Sequence, residues 1–143
     1  MKLDAKKSWN IGHPTYTKNA RLPGADFDAT VEKVRTELSK EGFGVLTEID
    51  LKATMKKKLD IDVPRYLILG ACNPPLAHQA VSAEPGIGAL LPCNVMVAEE
   101  EDGVFVGAID PGAMFSVVGR ADVEAIAEEV GARLDRVLKG IAE

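Results

Sequence analysis

Two cysteines lie in the middle of the chain, and each is followed by asparagine, as Cys72-Asn73 and Cys93-Asn94. Cys72 ends an apolar run, and Asn73 precedes two prolines, a pattern typical of a helix start. At a helix N-terminus the pKa of a thiol can be lowered, and free backbone N–H groups can hold an anion. The two dipeptides therefore predict the location of a functional site, although they match no known catalytic signature.

Whether the two thiols meet depends on how two predicted strands pair. If the strand at 65–72 lies antiparallel to the strand at 90–98, both cysteines fall at the same end of the sheet. The next strand, 104–109, then returns the chain to that end. A parallel pairing would separate the cysteines. On the antiparallel arrangement we predict a ligand site formed by Cys72, Asn73, Cys93, Asn94 and Asp110.

Each of these residues also has a structural interpretation. Cysteine often packs as a small hydrophobic residue in a protein core, and a disulfide is a further alternative. Asn73 suits a helix cap, and Asp110, which precedes Pro-Gly, suits a turn or cap. Asn94 has no such default, because an asparagine inside a strand needs a hydrogen-bond partner when it is buried.

A metal site has little support in the sequence, and no cofactor is indicated. The candidate ligands are Cys72 and Cys93, which do not form a CxxC pair. His78 is predicted to point away from the buried face of its helix, and His13 has no partner nearby in the sequence. The chain also lacks GxSxG, a Walker loop and a GxGxxG that follows a strand.

The bulk properties describe an ordinary globular chain. Its 143 residues fit one domain, and its net charge of −5 argues against nucleic acid as a partner. The N-terminus shows no apolar leader, and no run of apolar residues is long enough to span a membrane. We therefore expect a cytoplasmic protein whose thiols stay reduced.

The hydrophobic periodicity predicts alternating strands and helices. Residues 1–15 are predicted to form an irregular arm in which Trp9 packs on a neighbouring element, and residues 16–143 a single domain. The predicted strands are 16–22, 43–49, 65–72, 90–98 and 104–109, and the predicted helices follow Asp26 and Asp50 and span 74–83 and 121–141. Short links between the later strands favour an antiparallel sheet with helices on one face, a two-layer α+β domain.

Three separated motifs resemble those of the domain of unknown function 302 family of bacteria and archaea. They are EGFGVLTEID at 41–50, LGACNPPLA at 69–77 and LPCNV at 91–95, within a resemblance that covers about residues 16–114. The resemblance implies a fold like that of the TATA-binding protein, with the order β-α-β-β-β-β-α and short inserted helices, and often a homodimer. It implies no activity, and the acidic charge argues against DNA binding.

Three functions remain open on this evidence. The first is a homodimeric binding module that holds a small molecule, an anion or a soft metal near Cys72 and Cys93. The second is a thiol-dependent redox or sulfur-transfer enzyme, in which Cys72 is the reactive thiolate and Cys93 the resolving partner. The third is a purely structural or protein-interaction domain with packed cysteines. We favour the first, because polar groups at a helix start within apolar surroundings are common in small-molecule sites.

Overall fold

The computed structural model describes residues 8–143, so the first part of the predicted arm, residues 1–7, lies outside the described residues. The strands are β1 (Thr17–Pro23), β2 (Gly44–Asp50), β3 (Tyr66–Cys72), β4 (Cys93–Glu100) and β5 (Gly103–Ile109). The helices are α1 (Phe27–Lys40), α2 (Leu51–Leu59), α3 (Pro74–Ala83), α4 (Pro111–Phe115) and α5 (Ala121–Ala142). There are also two short 3-10 helices: Pro85–Leu90 lies between α3 and β4, and Ser116–Val118 lies between α4 and α5.

The strands form one five-stranded sheet in the order β1-β5-β4-β3-β2, and every neighbouring pair is antiparallel. The predicted α+β class is therefore confirmed. The nearly unbroken apolar run of β3 indicates a strand covered on both faces, and this is only partly right. β3 lies inside the sheet, but Tyr66, Ile68 and Cys72 on its outer side are half-buried.

The main core lies between the inner face of the sheet and the helices α1 and α5. Alternate residues of the three interior strands point into this core, as the period of a pleated strand requires. The inner residues of β3 and β4 are Leu67, Leu69, Ala71, Cys93, Val95 and Val97. Both long helices turn one apolar stripe towards them, because their buried residues recur at helical spacing.

A second, smaller core lies beyond the end of the sheet. It is formed by α3, the 3-10 helix that follows, α4 and the first half of α5. Its buried residues are Ala80, Ile87, Phe115, Val123 and Ala127. The turn-rich segment after α3 is thus anchored through buried Ile87.

The described part of the arm is fixed to the other end of the sheet. The Trp9 indole packs edge-on against Tyr66, with ring centroids 5.5 Å apart, and its N–H donates to the carbonyl of Pro64 at 3.1 Å. This contact agrees with the predicted packing of Trp9. Within residues 8–143, no helix has the length and apolar character needed to cross a membrane.

Candidate functional site

The two cysteines lie at one end of the sheet, because β3 and β4 are antiparallel. Their register places Ala71 directly opposite Cys93, so that Cys72 and Cys93 are on neighbouring strands one residue apart in register. The strand pairing on which the predicted site depended is therefore present. Both side chains are free thiols in the structure, with Cys93 buried and Cys72 half-buried.

Cys72 and Cys93 both line a cavity of about 300 Å³ at this end of the sheet, although alternation along β3 places their side chains on opposite faces of the sheet. The cavity lies at the junction of the two cores, since Ala71, Cys93 and Val130 belong to the main core and Ala80 and Phe115 to the smaller one. Its remaining lining residues are Phe43, Leu46, Thr47, Cys72, Asn73, Leu76, Ala77, Leu91, Pro92 and Ile126. Among the described residues, no charged side chain lines the cavity, and almost all of its wall is apolar.

The space exists because several side chains that face it are small. Ala71 on β3 and Ala77 and Ala80 on α3 project only a methyl group towards it, and the Cys93 side chain is short. α3 packs against α5 rather than against the sheet, so the strand ends and the helix do not close on each other. Larger residues at these positions would fill the cavity.

The mouth of the cavity is shaped by a bulge in β2. In the β2–β3 register Val45 pairs with Ala71 and Thr47 pairs with Gly70, which leaves Leu46 as the extra residue. A bulge redirects side chains, and the Leu46 side chain lines the cavity although it is 67% exposed. Gly70 is required beside the bulge, because a Cβ there would collide with the Thr47 hydroxyl and come within 2.7 Å of the Pro92 ring.

Asn73 caps α3, as predicted, but the anion site expected at this helix start is absent. The first two helical residues, Pro74 and Pro75, have no N–H group to offer. The N–H of Leu76 donates to the Asn73 side-chain oxygen at 3.3 Å, and that of Ala77 donates to the Asn73 carbonyl at 2.8 Å. The first-turn donors are therefore missing or already used, so the helix start lacks the free N–H groups on which the predicted anion site depended.

The Asn73 amide also connects the cavity wall to the turn after α1. Its Nδ2 donates to the carbonyl of Glu41 at 3.2 Å, and Arg133 of α5 donates to the same carbonyl at 3.0 Å. Asn73 is 7% exposed, so these hydrogen bonds are largely shielded from water. Both ends of the side chain thus have structural partners, which makes Asn73 a positioning residue for α3.

We expect Asn73→Ala to lower the free energy of unfolding by about 2 kcal/mol, since it removes a helix cap and a largely buried hydrogen bond. Urea unfolding followed by circular dichroism measures this loss. Asp26→Ala is the matched control, because Asp26 caps α1 through Ala29 N–H on an exposed surface. The control should lose about 1 kcal/mol. Equal losses in the two variants would contradict the additional role of Asn73.

Burial raises the pKa of the Cys93 thiol to about 11, and the neighbouring Cys72 thiol adds to the effect. The physical reason is that the thiolate would lose its hydration inside an apolar wall. Cys93 is therefore a neutral thiol at neutral pH. No group of three or more metal-ligating side chains occurs among residues 8–143, which leaves Cys72 and Cys93 without a third ligand from this part of the chain.

Asn94 and Asp110, the other two predicted site residues, do not line the cavity. Asn94 is exposed on the outer side of β4, so it needs no protein partner. Asp110 follows the end of β5 and caps α4 by accepting the Gly112 N–H at 3.0 Å. His78 is exposed on α3, as predicted, whereas exposed His13 lies 3.4 Å from an Arg21 nitrogen and is not isolated. The structure thus brings Cys72, Asn73 and Cys93 together.

Sequence reasoning missed most of the apolar wall. Leu46, Phe115 and Ile126 come from three different elements, Phe43 lies in the turn before β2, and nothing local marks the first three as neighbours. The sequence of α3 did carry a signal of unfilled space. Ala77 and Ala80 occupy the face that packs inward, where a core helix more often carries larger residues. Two adjacent prolines after Asn73 also indicated that few N–H groups would be available.

The fold and the site define an α+β protein with a five-stranded antiparallel sheet and an apolar two-thiol cavity at one end of it. The chain belongs to the family described as Domain of unknown function DUF302, whose profile matches residues 18–141. The match extends beyond the recognised motifs and includes nearly all of α5.

A solved structure with a similar fold is the crystal structure of an uncharacterised conserved DUF302 protein from Bacillus stearothermophilus. The two chains are 23% identical, the alignment covers 89% of this chain and 98% of that one, and the TM-score is 0.81. At this level of identity the likeness establishes the fold alone. The comparison with curated proteins found no match.

Proposed function

We propose that this protein is a small-ligand-binding domain that holds its ligand in the cavity beside Cys72 and Cys93. The observation that carries the proposal is the cavity itself, because its volume of about 300 Å³ is at the lower end of the range usual for ligand pockets. The cavity is open to solvent on one side and apolar on its wall, as ligand pockets commonly are.

The chemistry of the wall favours an uncharged ligand over the anion or soft metal also considered from the sequence. An anion would find neither a positive side chain on the wall nor free N–H groups at the start of α3. A metal ion would have to ionise Cys93, whose raised pKa of about 11 opposes this. The uncharged wall and the neutral Cys93 thiol therefore support binding of a small organic molecule.

The thiol-dependent redox or sulfur-transfer enzyme has weaker support. A resolving or nucleophilic thiol reacts as the thiolate, and Cys93 is held neutral by burial. The proposed lowering of a thiol pKa at the start of α3 also depended on free N–H groups, which the two prolines do not provide. The purely structural alternative, with packed cysteines, leaves the cavity without a role.

We also propose that the protein is a homodimer. The edge strand β2 is exposed along most of its length and, within residues 8–143, pairs on one side only, with β3. An open edge of this kind presents unpaired backbone groups that suit association with another chain. The family resemblance of the sequence supports the same assembly.

Native mass spectrometry tests the binding proposal and the assembly together. We expect a dimer that carries either a retained small molecule or added 1-naphthol, an uncharged two-ring probe. Ala77→Leu should reduce the bound fraction at least tenfold, because the larger side chain enters the cavity from half-buried Ala77.

Ala125→Leu is the matched control, since Ala125 is exposed on α5 and does not line the cavity. It should bind as the unmodified protein does. A protein without bound mass in all samples, or equal binding by both variants, would reject the proposal. A monomer at micromolar concentration would reject the homodimer.

A further inference from the structure

We infer that the group held in the cavity is an uncharged hydrocarbon of about a dozen carbon atoms, which enters past Leu46. This inference rests on the proposed function and adds to it the chemical class of the ligand and its route. Three observations carry it: the volume of the cavity, the paired or neutral state of the Asn73 and Cys93 side chains on its wall, and the exposed leucine at its mouth.

The volume limits the size of the bound group. An engineered apolar cavity of about 150 Å³ in another protein accommodates benzene, which has six carbon atoms. A cavity of about 300 Å³ is twice as large and scales to about a dozen carbon atoms at the same packing. A two-ring aromatic group or an alkyl chain of similar size fits this limit, whereas a nucleotide or a folded peptide does not.

The wall excludes a charged group at the bottom of the cavity. The Asn73 side chain is already paired, with Leu76 N–H and with the Glu41 carbonyl. The Cys93 thiol is neutral. Within residues 8–143, no buried side-chain nitrogen or oxygen lacks a hydrogen-bond partner. A polar ligand group would lose its hydration there without compensation, and this costs several kcal/mol for an uncharged group and more for an ion. A hydrocarbon has no polar group to dehydrate, so it binds there without this cost in free energy.

The mouth is marked by Leu46 and Thr47. Leu46 is 67% exposed and yet contributes to the cavity wall, so an apolar ligand can contact it before it leaves water. Thr47 beside it is exposed and also lines the cavity, so its hydroxyl is available to a head group that stays outside. The same hydrocarbon could belong to a small molecule that the cavity encloses completely or to an amphiphile whose head remains at Thr47. The chain-length experiment below separates these two sources.

The first test measures the affinity of straight-chain alcohols from hexanol to hexadecanol, by displacement of bound 1-naphthol. Burial of each methylene should strengthen binding about fourfold until the cavity is full. A constant affinity beyond that length indicates a tail that extends through the mouth, as in an amphiphile. A falling affinity indicates a fully enclosed hydrocarbon. An affinity that does not depend on chain length among the short alcohols would overturn the inference.

The second test places a charge at the mouth. Leu46→Asp should weaken decanol binding at least tenfold, because the tail would have to pass a carboxylate. Ile49→Asp is the matched control, since Ile49 lies on the same strand, is 48% exposed and does not line the cavity. Any effect of a charge on β2 stability or on dimer formation is shared by the two variants. Equal losses would overturn the proposed route.

The outcomes separate this inference from the proposed function. If 1-naphthol binds and Ala77→Leu abolishes its binding, but the alcohols show no dependence on chain length, the site is correct and the hydrocarbon class is wrong. If only anionic or metal probes bind, the inference that the ligand is a hydrocarbon is likewise wrong. If no probe binds to the unmodified protein, the proposed function fails together with the inference.

Discussion

Replacement of Phe115 by alanine should lower the free energy of unfolding by about 3–5 kcal/mol. Phe115 ends α4, is 2% exposed, packs in the smaller core and forms part of the cavity wall. Removing its ring forfeits the burial of six carbon atoms and leaves a void that α3 and α5 can only partly close. Urea unfolding measures the loss.

The same variant should change the ligand preference. A larger cavity admits a longer hydrocarbon, so the alcohol of highest affinity should be longer for Phe115→Ala than for the unmodified protein. A saturating alcohol should also restore stability, by about 2.7 kcal/mol at one hundred times its Kd. Restoration by the short alcohols alone would contradict the predicted enlargement.

Val117→Ala is the control for Phe115→Ala, because Val117 lies two residues further along and is 76% exposed. Its loss of stability should be within about 0.5 kcal/mol of zero. A loss below about 1 kcal/mol for Phe115→Ala would mean that the smaller core closes around the missing ring. The wall of the cavity would then be too adaptable to select a ligand by size.

Alkaline pH should destabilise the protein through Cys93. The pKa of this thiol is about 11 in the folded protein and about 9 in the unfolded chain. Below pH 9 both states carry the neutral thiol, and the full stability is present. Between pH 9 and 11 the unfolded chain loses the proton first, so stability falls as pH rises, by about 3 kcal/mol in total.

Urea unfolding at several pH values, with a reductant present, measures this fall. Tyr66, whose pKa burial also raises, and other groups ionise in the same range, so Cys93→Ala supplies the reference. The variant should be less stable near neutral pH because of the lost side chain, but its stability should fall less steeply between pH 9 and 11. Parallel curves for the two proteins would show that Cys93 is accessible to water and would contradict its burial in the cavity wall.

Short-range patterns in the sequence were sufficient to predict the elements. The side chains of Asp26, Asp50, Asn73 and Asp110 each cap the helix that follows, and each acts within three residues of its own position. The nearly unbroken apolar runs of β3 and β5 likewise indicate strands in the interior of the sheet. Because these effects operate between residues close in the chain, they could be read without the fold.

The prediction that both thiols share one end of the sheet needed one further step. It followed from an assumed antiparallel pairing of β3 and β4, which short connections favour but do not require. The structure has this pairing, with Ala71 opposite Cys93. Asn94 and Asp110 lie at the predicted end of the sheet but do not line the cavity, because Asn94 is exposed on β4 and the Asp110 carboxylate caps α4.

The sequence by itself thus determined the elements, their caps, the α+β class and the two-thiol end of the sheet. Only the tertiary structure decided that this end encloses an apolar cavity. Ala71, Ala80 and Phe115 come from a strand and two helices, and their small or large volumes matter only once those elements meet. The bulge that turns Leu46 towards the mouth depends in the same way on the register between β2 and β3. A cavity is space left between elements, and its size is a difference between packed volumes that no local pattern encodes.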